Sequence, residues 1–360
     1  MTEQLAREKV VAFDIECSSN LHHYKNLVCL MQFAGGDSVF VVDTMKGLDL
    51  EPVRKILEDP AIEIVMHDTD FDLRSLDRHY GWRPRNLFDT LIAARLCGHK
   101  EFGLATLLER HFGKKTSKKF QRADWTIRPI PSDMLEYAAA DVIHLERLRN
   151  LLAGELERLG RMAWARAKFA QCEKKRFEED DRPLFARVKK ARELCDGRDL
   201  AVLSELAKVR DHIAMELDLP SFMIMADPVL ISLARDRPRT VHELSVRRGM
   251  HPECKRRYAE RLVGAIALGL ASPGIKWPRP KPCERNASYS QAVFDALKAW
   301  RADYAKGLEV EPDLILSLNS LRRLASGTAI DEVLREEAVG AWRFEEIKRA
   351  LKKIIKEPIL

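Results

Sequence analysis

An aspartate and a glutamate, Asp14 and Glu16, interrupt the otherwise apolar run VVAFDIEC near the start of the chain. Side chains alternate along a strand, so both carboxylates share one face while Phe13 and Ile15 take the other. Two such groups side by side repel, and a divalent cation with oxygen ligands, Mg²⁺ or Mn²⁺, is the natural counter-charge. A second acidic cluster, Asp68, Asp70 and Asp72 in HDTDFDLRSL, follows an apolar strand at the point where a helix should begin. Its spacing alone does not choose among the three. His67 reads as a structural hydrogen bonder, and Asp89 in LFDTLIAARL reads as the cap of the helix that follows it. Far downstream, LEYAAADVIHL places Tyr137 and Asp141 one helical turn apart on one face. A tyrosyl hydroxyl can orient a water beside an ion that the aspartate holds. Each motif alone also suits a bland role: a polar strand edge, a charge complementing a helix N-terminus, or decoration on a helix surface. Taken together they ask for phosphodiester hydrolysis by two divalent ions about 4 Å apart.

The elements that must position these groups follow from periodicity. Segments 9–17, 28–36 and 38–43 are strand-like, with Gly35-Gly36-Asp37 as the turn between the latter two. A helix over 50–59 and a buried strand over 62–66 come next. Helices are then expected over 69–79, 90–97, 103–112, and from Ser132, as N-cap behind Pro131, without interruption to about Leu159. Phe71, Leu73 and Leu76 should form the buried face of the first of these. The fold class is therefore α/β, a mixed sheet flanked by helices, followed by all-α domains.

Residues 160–196 are charged and helical in character, a connector rather than a core. Beyond them lies an internal repeat: Leu206, Arg210, Ala214, Leu217, Ile224, Leu230, Leu233 and Ala234 recur as Leu297, Arg301, Ala305, Leu308, Ile315, Leu321, Leu324 and Ala325. A constant offset without a gap points to duplication of a small helical module. Four prolines in ASPGIKWPRPKPCERNAS separate the copies as a stiff linker. The domain plan is 1–165 for the α/β domain, 166–196 for the connector, 197–271 and 289–360 for the two helical modules, and 272–288 for the linker.

Residues 1–150 carry 21 Lys and Arg against 23 Asp and Glu, so the net charge of +6 resides in the C-terminal part, which suits contact with a polyanion. The seven cysteines form no C-x-x-C pair, consistent with reduced thiols in a cytoplasm. The first ten residues lack the apolar core of a signal peptide, and the longest apolar run, LVGAIALGLA, is half of the roughly 20 residues a membrane span needs. A soluble, cytoplasmic protein without membrane partners is expected.

Over essentially its whole length the chain resembles the ribonuclease D family of DEDDy 3′→5′ exonucleases. FDIEC, HDTDFDLRSL and YAAADVIHL look like the three exonuclease motifs, and the repeated segments look like HRDC domains. The resemblance implies a ribonuclease H-like fold, Asp14, Glu16, Asp72 and Asp141 as ligands of two divalent ions, and Tyr137 as the residue that positions the attacking water. It selects Asp72 from the second cluster through the H-x-x-x-x-D-L pattern. It also implies removal of 3′-terminal nucleotides as nucleoside 5′-monophosphates, from single-stranded RNA 3′ ends such as those of tRNA precursors. The sequence does not fix the oligomeric state, and a monomer is the expectation. Relatives usually carry Thr and Phe where this chain has Ile15 and Cys17, neither of them a ligand, and Val209 replaces the Trp that Trp300 retains in the second module.

The stretch 100–128 holds eight Lys and Arg against three acidic residues. Lys114, Lys115, Lys118, Lys119 and Arg122 lie in its loop, just ahead of the third motif, and are the candidate RNA contacts, because phosphate binding is independent of sequence. The alternatives are a DNA 3′→5′ exonuclease, built on the same carboxylates, and a non-catalytic RNA-binding scaffold, against which the complete set of five residues argues.

Overall fold

The computed structural model describes residues 1–18, 21–115, 119–194, 196–278, 289–337 and 340–356, without the side chains of 340–342. A short helix α1 (Thr2–Leu5) leads into strands β1 (Val10–Cys17), β2 (Val28–Gly35) and β3 (Ser38–Asp43). Then come α2 (Glu51–Leu57), β4 (Glu63–Met66), α3 (Thr69–Tyr80), β5 (Leu87–Asp89) and α4 (Thr90–Leu96). The helices α5 (Leu104–Phe112), α6 (Ser132–Val142), α7 (Leu145–Arg158) and α8 (Met162–Cys172) follow.

The five strands form one mixed sheet in the order β3-β2-β1-β4-β5. β1 is its hinge, antiparallel to β2 and parallel to β4. Alternation sorts its side chains: Val11, Phe13 and Ile15 join Leu73 and Leu76 in one core layer. Ala12 points the other way, into a layer with Val65, Phe88, Leu148 and Trp164. The β2–β3 hairpin turns at Gly36, whose φ of 55° suits a residue without a side chain.

Four local expectations fail, each for a physical reason. The helix expected from Ser132 to Leu159 is two helices, broken at Ile143 and His144, so that α7 can turn its own apolar stripe to the sheet. Pro131, not Ser132, occupies the N-cap, and no side chain caps that end. Phe71 is exposed, because Asp72 rather than Phe71 points inward from α3. The charged connector begins later than its composition suggests: α8 buries Trp164, Ala165 and Phe169 in the main core, its basic residues lying between the apolar ones. The three-residue strand β5 was too short to read from periodicity.

The chain forms two compact units, Met1–Cys17 with Val28–Phe177 and Asn286–Leu360, and Ser18–Leu27 with Glu178–Arg285. The second unit contains α9 (Leu184–Arg187), α10 (Gly197–Leu217), α11 (Ser221–Ile224), α12 (Asp227–Asp236), α13 (Val241–Ser245), α14 (Pro252–Arg256) and α15 (Ala259–Ala271). α10 and α15 cross closely at Gly269, where an added Cβ would lie 2.5 Å from the Val202 Cα. Within this unit the Tyr24 hydroxyl donates to Asp211 at 2.9 Å.

The remaining helices, α16 (Gln291–Gly307), α17 (Pro312–Ile315), α18 (Leu318–Ala325), α19 (Ile330–Glu336) and α20 (Gly340–Lys356), belong to the first unit. The module expected as a separate domain over 289–360 thus completes the core of the first one. Val293, Leu297, Leu321 and Leu351 lie in one apolar cluster with Ala12, Phe88 and Trp164. Arg95 of α4 binds Glu311 at 2.6 Å and Asp313 at 2.7 Å, and the buried Lys168 donates to the Glu337 carbonyl at 2.9 Å. The repeat survives in three dimensions: Arg210 donates to the Met225 carbonyl at 3.1 Å, and its counterpart Arg301 to the Leu316 carbonyl at 2.7 Å. Only 272–278 of the expected linker fall among the described residues. No described helix is long and apolar enough to cross a membrane.

Candidate active site

Strand β1 delivers Asp14 and Glu16 to the sheet face that α6 covers, opposite Phe13 and Ile15. After Glu16 the ladder slips, Glu16 pairing with Leu30 but Cys17 with Val28. Such a bulge adds twist and ends the regular pairing beside the carboxylates. α6 contributes Tyr137 and Asp141 from one face, while Met134, Ala138 and Val142 are buried. One ligand oxygen each from Asp14, Glu16 and Asp141 lies within 4.8 Å of the others. Asp72, buried in the first turn of α3, stands outside that tight trio. It is still close enough for its charge to push up Glu16 and for Asp14 to push it up in return.

The three aspartates of the second motif have different fates. Asp72 is buried at the site, Asp70 is bound by Lys175 at 2.6 Å and Arg74 at 3.1 Å, and Asp68 lines the cleft. Asp89 caps α4 as expected, accepting from the Leu91 and Ile92 amides at 2.9 and 3.1 Å. It also accepts from the amide and hydroxyl of Thr69, each at 2.9 Å, so one carboxylate ties together the starts of α3 and α4. His67 is a structural hydrogen bonder: Thr90 Oγ1 donates to the Met66 carbonyl, leaving it to accept from His67 Nδ1 at 2.9 Å. Burial pulls His67 down to about 4, so the ring is neutral.

The electrostatics are those of a site awaiting positive charge. Burial, then the neighbouring Asp141, pushes Asp14 well above the usual carboxylate range. Glu16 is pushed up to about 10 by burial and by Asp14, Asp141 and Asp72. Asp141 rises to about 6 through burial, tempered by the hydrogen bond from Tyr137, whose own hydroxyl is pushed up by burial and by Asp141. Among the described residues no lysine or arginine ion-pairs with any of the four carboxylates. All the donors are oxygens, which suits a hard divalent cation rather than zinc or copper. The residues present therefore fit the ions that the sequence implied.

Around them runs a cleft of about 330 Å³ whose lining includes Asp14, His67, Asp68, Gln121, Tyr137 and Asp141. Trp125 and Phe120 brace the Tyr137 ring at centroid distances of 6.1 and 5.7 Å. Arg128 anchors this segment, gripping Asp43 at 2.7 and 2.9 Å and donating to the Trp125 carbonyl at 2.7 Å. Gln121, on the same segment, was invisible in the sequence because neither its type nor its spacing sets it apart. Of the basic candidates, Lys119 binds Asp133 at 2.9 Å, Lys115 reaches Glu109 at 3.9 Å, and Lys114 and Arg122 are exposed. Lys118 lies outside the described residues.

A mixed sheet carrying this set of carboxylates with a helical Tyr-x-x-x-Asp defines a 3′→5′ exonuclease, and the pattern of the 3′-5′ exonuclease family matches residues 1–157. The HRDC domain pattern matches residues 199–266. The chain is 32% identical to ribonuclease D of Gluconacetobacter diazotrophicus, over 90% of this chain and 83% of that one. Its fold superposes with a TM-score of 0.83 on a crystal structure from Bifidobacterium adolescentis, 26% identical, covering 99% of this chain and 94% of that chain. Against Escherichia coli RNase D the TM-score is 0.69 at 26% identity, over 99% of this chain and 95% of that chain. The chain belongs to the ribonuclease D family and is a hydrolase of the 3′→5′ exoribonuclease class.

Proposed function

We propose that this enzyme shortens single-stranded RNA from its 3′ end, tRNA precursors among its substrates, with two Mg²⁺ or Mn²⁺ ions held by Asp14, Glu16, Asp72 and Asp141. The observation that carries this reading is the meeting of Asp14, Glu16 and Asp141 within 4.8 Å with no cationic side chain paired to them among the described residues. When bound, the ions supply charge for the attacking and leaving oxygens of an in-line displacement. Tyr137, braced by Trp125 and Phe120, aims its hydroxyl at the water, whose oxygen joins the terminal phosphorus as the P–O3′ bond breaks. The departing nucleotide leaves as a 5′-monophosphate and the shortened strand keeps a free 3′-hydroxyl. His67, held neutral by burial, adds no charge to the cleft. Lys114, Lys115, Lys119 and Arg122 supply phosphate contacts, and replacing Lys119 by Ala should flatten the salt dependence of binding by up to about 0.7 in log–log slope. The five cysteines described, Cys17, Cys29, Cys97, Cys172 and Cys254, are in no disulfide, which suits work in a reducing cytoplasm, and the enzyme acts as a monomer.

The test is a matched pair of 5′-labelled single-stranded RNA and DNA, each with Mg²⁺ and then Mn²⁺. A ladder shortening from the 3′ end, with 5′-monophosphates released and RNA preferred, is expected. Equal turnover of DNA would overturn the RNA assignment. A tRNA precursor with extra 3′ nucleotides, left at full length under conditions that degrade unstructured RNA, would remove that substrate.

A further inference from the structure

Gln32 lies in the middle of β2, fully buried, with neither its amide nitrogen nor its amide oxygen hydrogen-bonded. Buried amides are seldom left this way, since desolvation without a partner is heavily penalised. The strand around it, VCLMQFAG, is otherwise apolar, so an apolar residue would have served the core better.

The sheet register shows what the amide is near. Gln32 is directly opposite Asp14 in the antiparallel β1–β2 ladder. Opposed residues point to the same face, with Cβ atoms about 5 Å apart. Its other neighbours on that face are apolar: Val41 across β3, and Leu30 and Ala34 two residues away along β2. Asp43, diagonal to it on β3, is already held by Arg128. α6 covers this face, packing on β1, β2 and β3 with the buried side chains of Met134 and Ala138.

We propose that Gln32 is a positioning residue for Asp14. Its amide N–H, without a partner in this structure, would turn to donate to the Asp14 carboxylate oxygen that faces the sheet once an ion is bound, which would fix the carboxylate's rotation and leave the other oxygen turned toward the ion site. A neutral donor suits this place, because a lysine would compete with the ion and a further carboxylate would add repulsion. Gln32 itself touches neither ion nor RNA. The inference rests on the reading of Asp14 as an ion ligand.

The test measures Mn²⁺ binding to the RNA-free protein by electron paramagnetic resonance, together with kcat, KM and Tm, for Gln32→Met, Gln32→Leu and Asp14→Asn. Either apolar variant should melt no lower than the parent, bind Mn²⁺ about tenfold more weakly, and lose about tenfold in kcat with KM for RNA unchanged. Parental Mn²⁺ affinity and kcat in a folded Gln32→Met or Gln32→Leu protein would overturn the proposal while Asp14→Asn still loses the ion. Parental Mn²⁺ affinity in Asp14→Asn would instead overturn the reading of the site, and the role of Gln32 with it. A fall in Tm for both apolar variants, with ion affinity intact, would make Gln32 a packing residue only.

Discussion

Two regions of the first unit bury charge in opposite ways. At the site, Asp14, Glu16, Asp72 and Asp141 press against one another without a counter-ion from the described protein, and every one is pushed up. Where the C-terminal module meets the sheet domain, cations meet carboxylates: half-buried Arg95 meets Glu311 and Asp313, and buried Lys168 meets Glu337. The second region is finished by the fold, whereas the first is left for something else to finish. Buried like charges without partners weaken a fold, and their persistence here marks function rather than stability.

The contrast can be broken most forcefully at Asp14. Asp14→Asn or Asp141→Asn should lower kcat at least about 10³-fold, roughly 4 kcal/mol of barrier, yet leave the ion-free Tm no lower than that of the parent. A large drop in ion-free Tm would mean that the carboxylates serve the fold after all. Tyr137→Phe should reduce kcat about 10²-fold and keep Mn²⁺ affinity; unchanged rates at saturating Mg²⁺ would end its water-positioning role. On the other side of the contrast, Lys168→Met should lower stability by about 2 kcal/mol in denaturant titrations, with kcat per folded molecule unaltered. Lost activity at full stability would transfer that residue from the scaffold to the chemistry.

The subtlest test uses pH. Unfolded Asp and Glu titrate near about 3.9 and 4.3, below the folded values of about 6 for Asp141 and about 10 for Glu16. The folded chain therefore holds more protons, so these groups withdraw stability as pH rises from about 4, levelling off above 6 for Asp141 and continuing toward 10 for Glu16. Divalent ions replace those protons. The rise in Tm on adding Mg²⁺ should accordingly be larger at pH 8 than at pH 5.5, and equal increments would contradict the competition.

Much of this was legible in the sequence because it is local. Alternation placed Asp14 and Glu16 opposite Phe13 and Ile15, and the repeat offset located two modules whose arginines make the same bond. The choice of Asp72 from three aspartates came from family resemblance, since only tertiary structure separates it from Asp70. What stayed hidden depends on long-range partners. Asp89 binds Thr69 as well as its own helix, Gln32 lies across from Asp14, and Arg128 spends its charge on Asp43 rather than on a polyanion. The break between α6 and α7 is likewise dictated by what each helix faces, to which helix propensity is blind.

The shared core has a consequence for how the enzyme is made. A ribosome releases the carboxylates of β1 early, but the layer containing Ala12, Phe88 and Trp164 is closed only by residues as late as Leu351. Until then the nascent chain carries an open apolar flank, the kind of surface that chaperones cover. The segment that finishes the body of the enzyme is thus made long after β1, and a chain cut short before Leu351 would carry Asp14, Glu16, Asp72, Tyr137 and Asp141 without the full core that holds them in place.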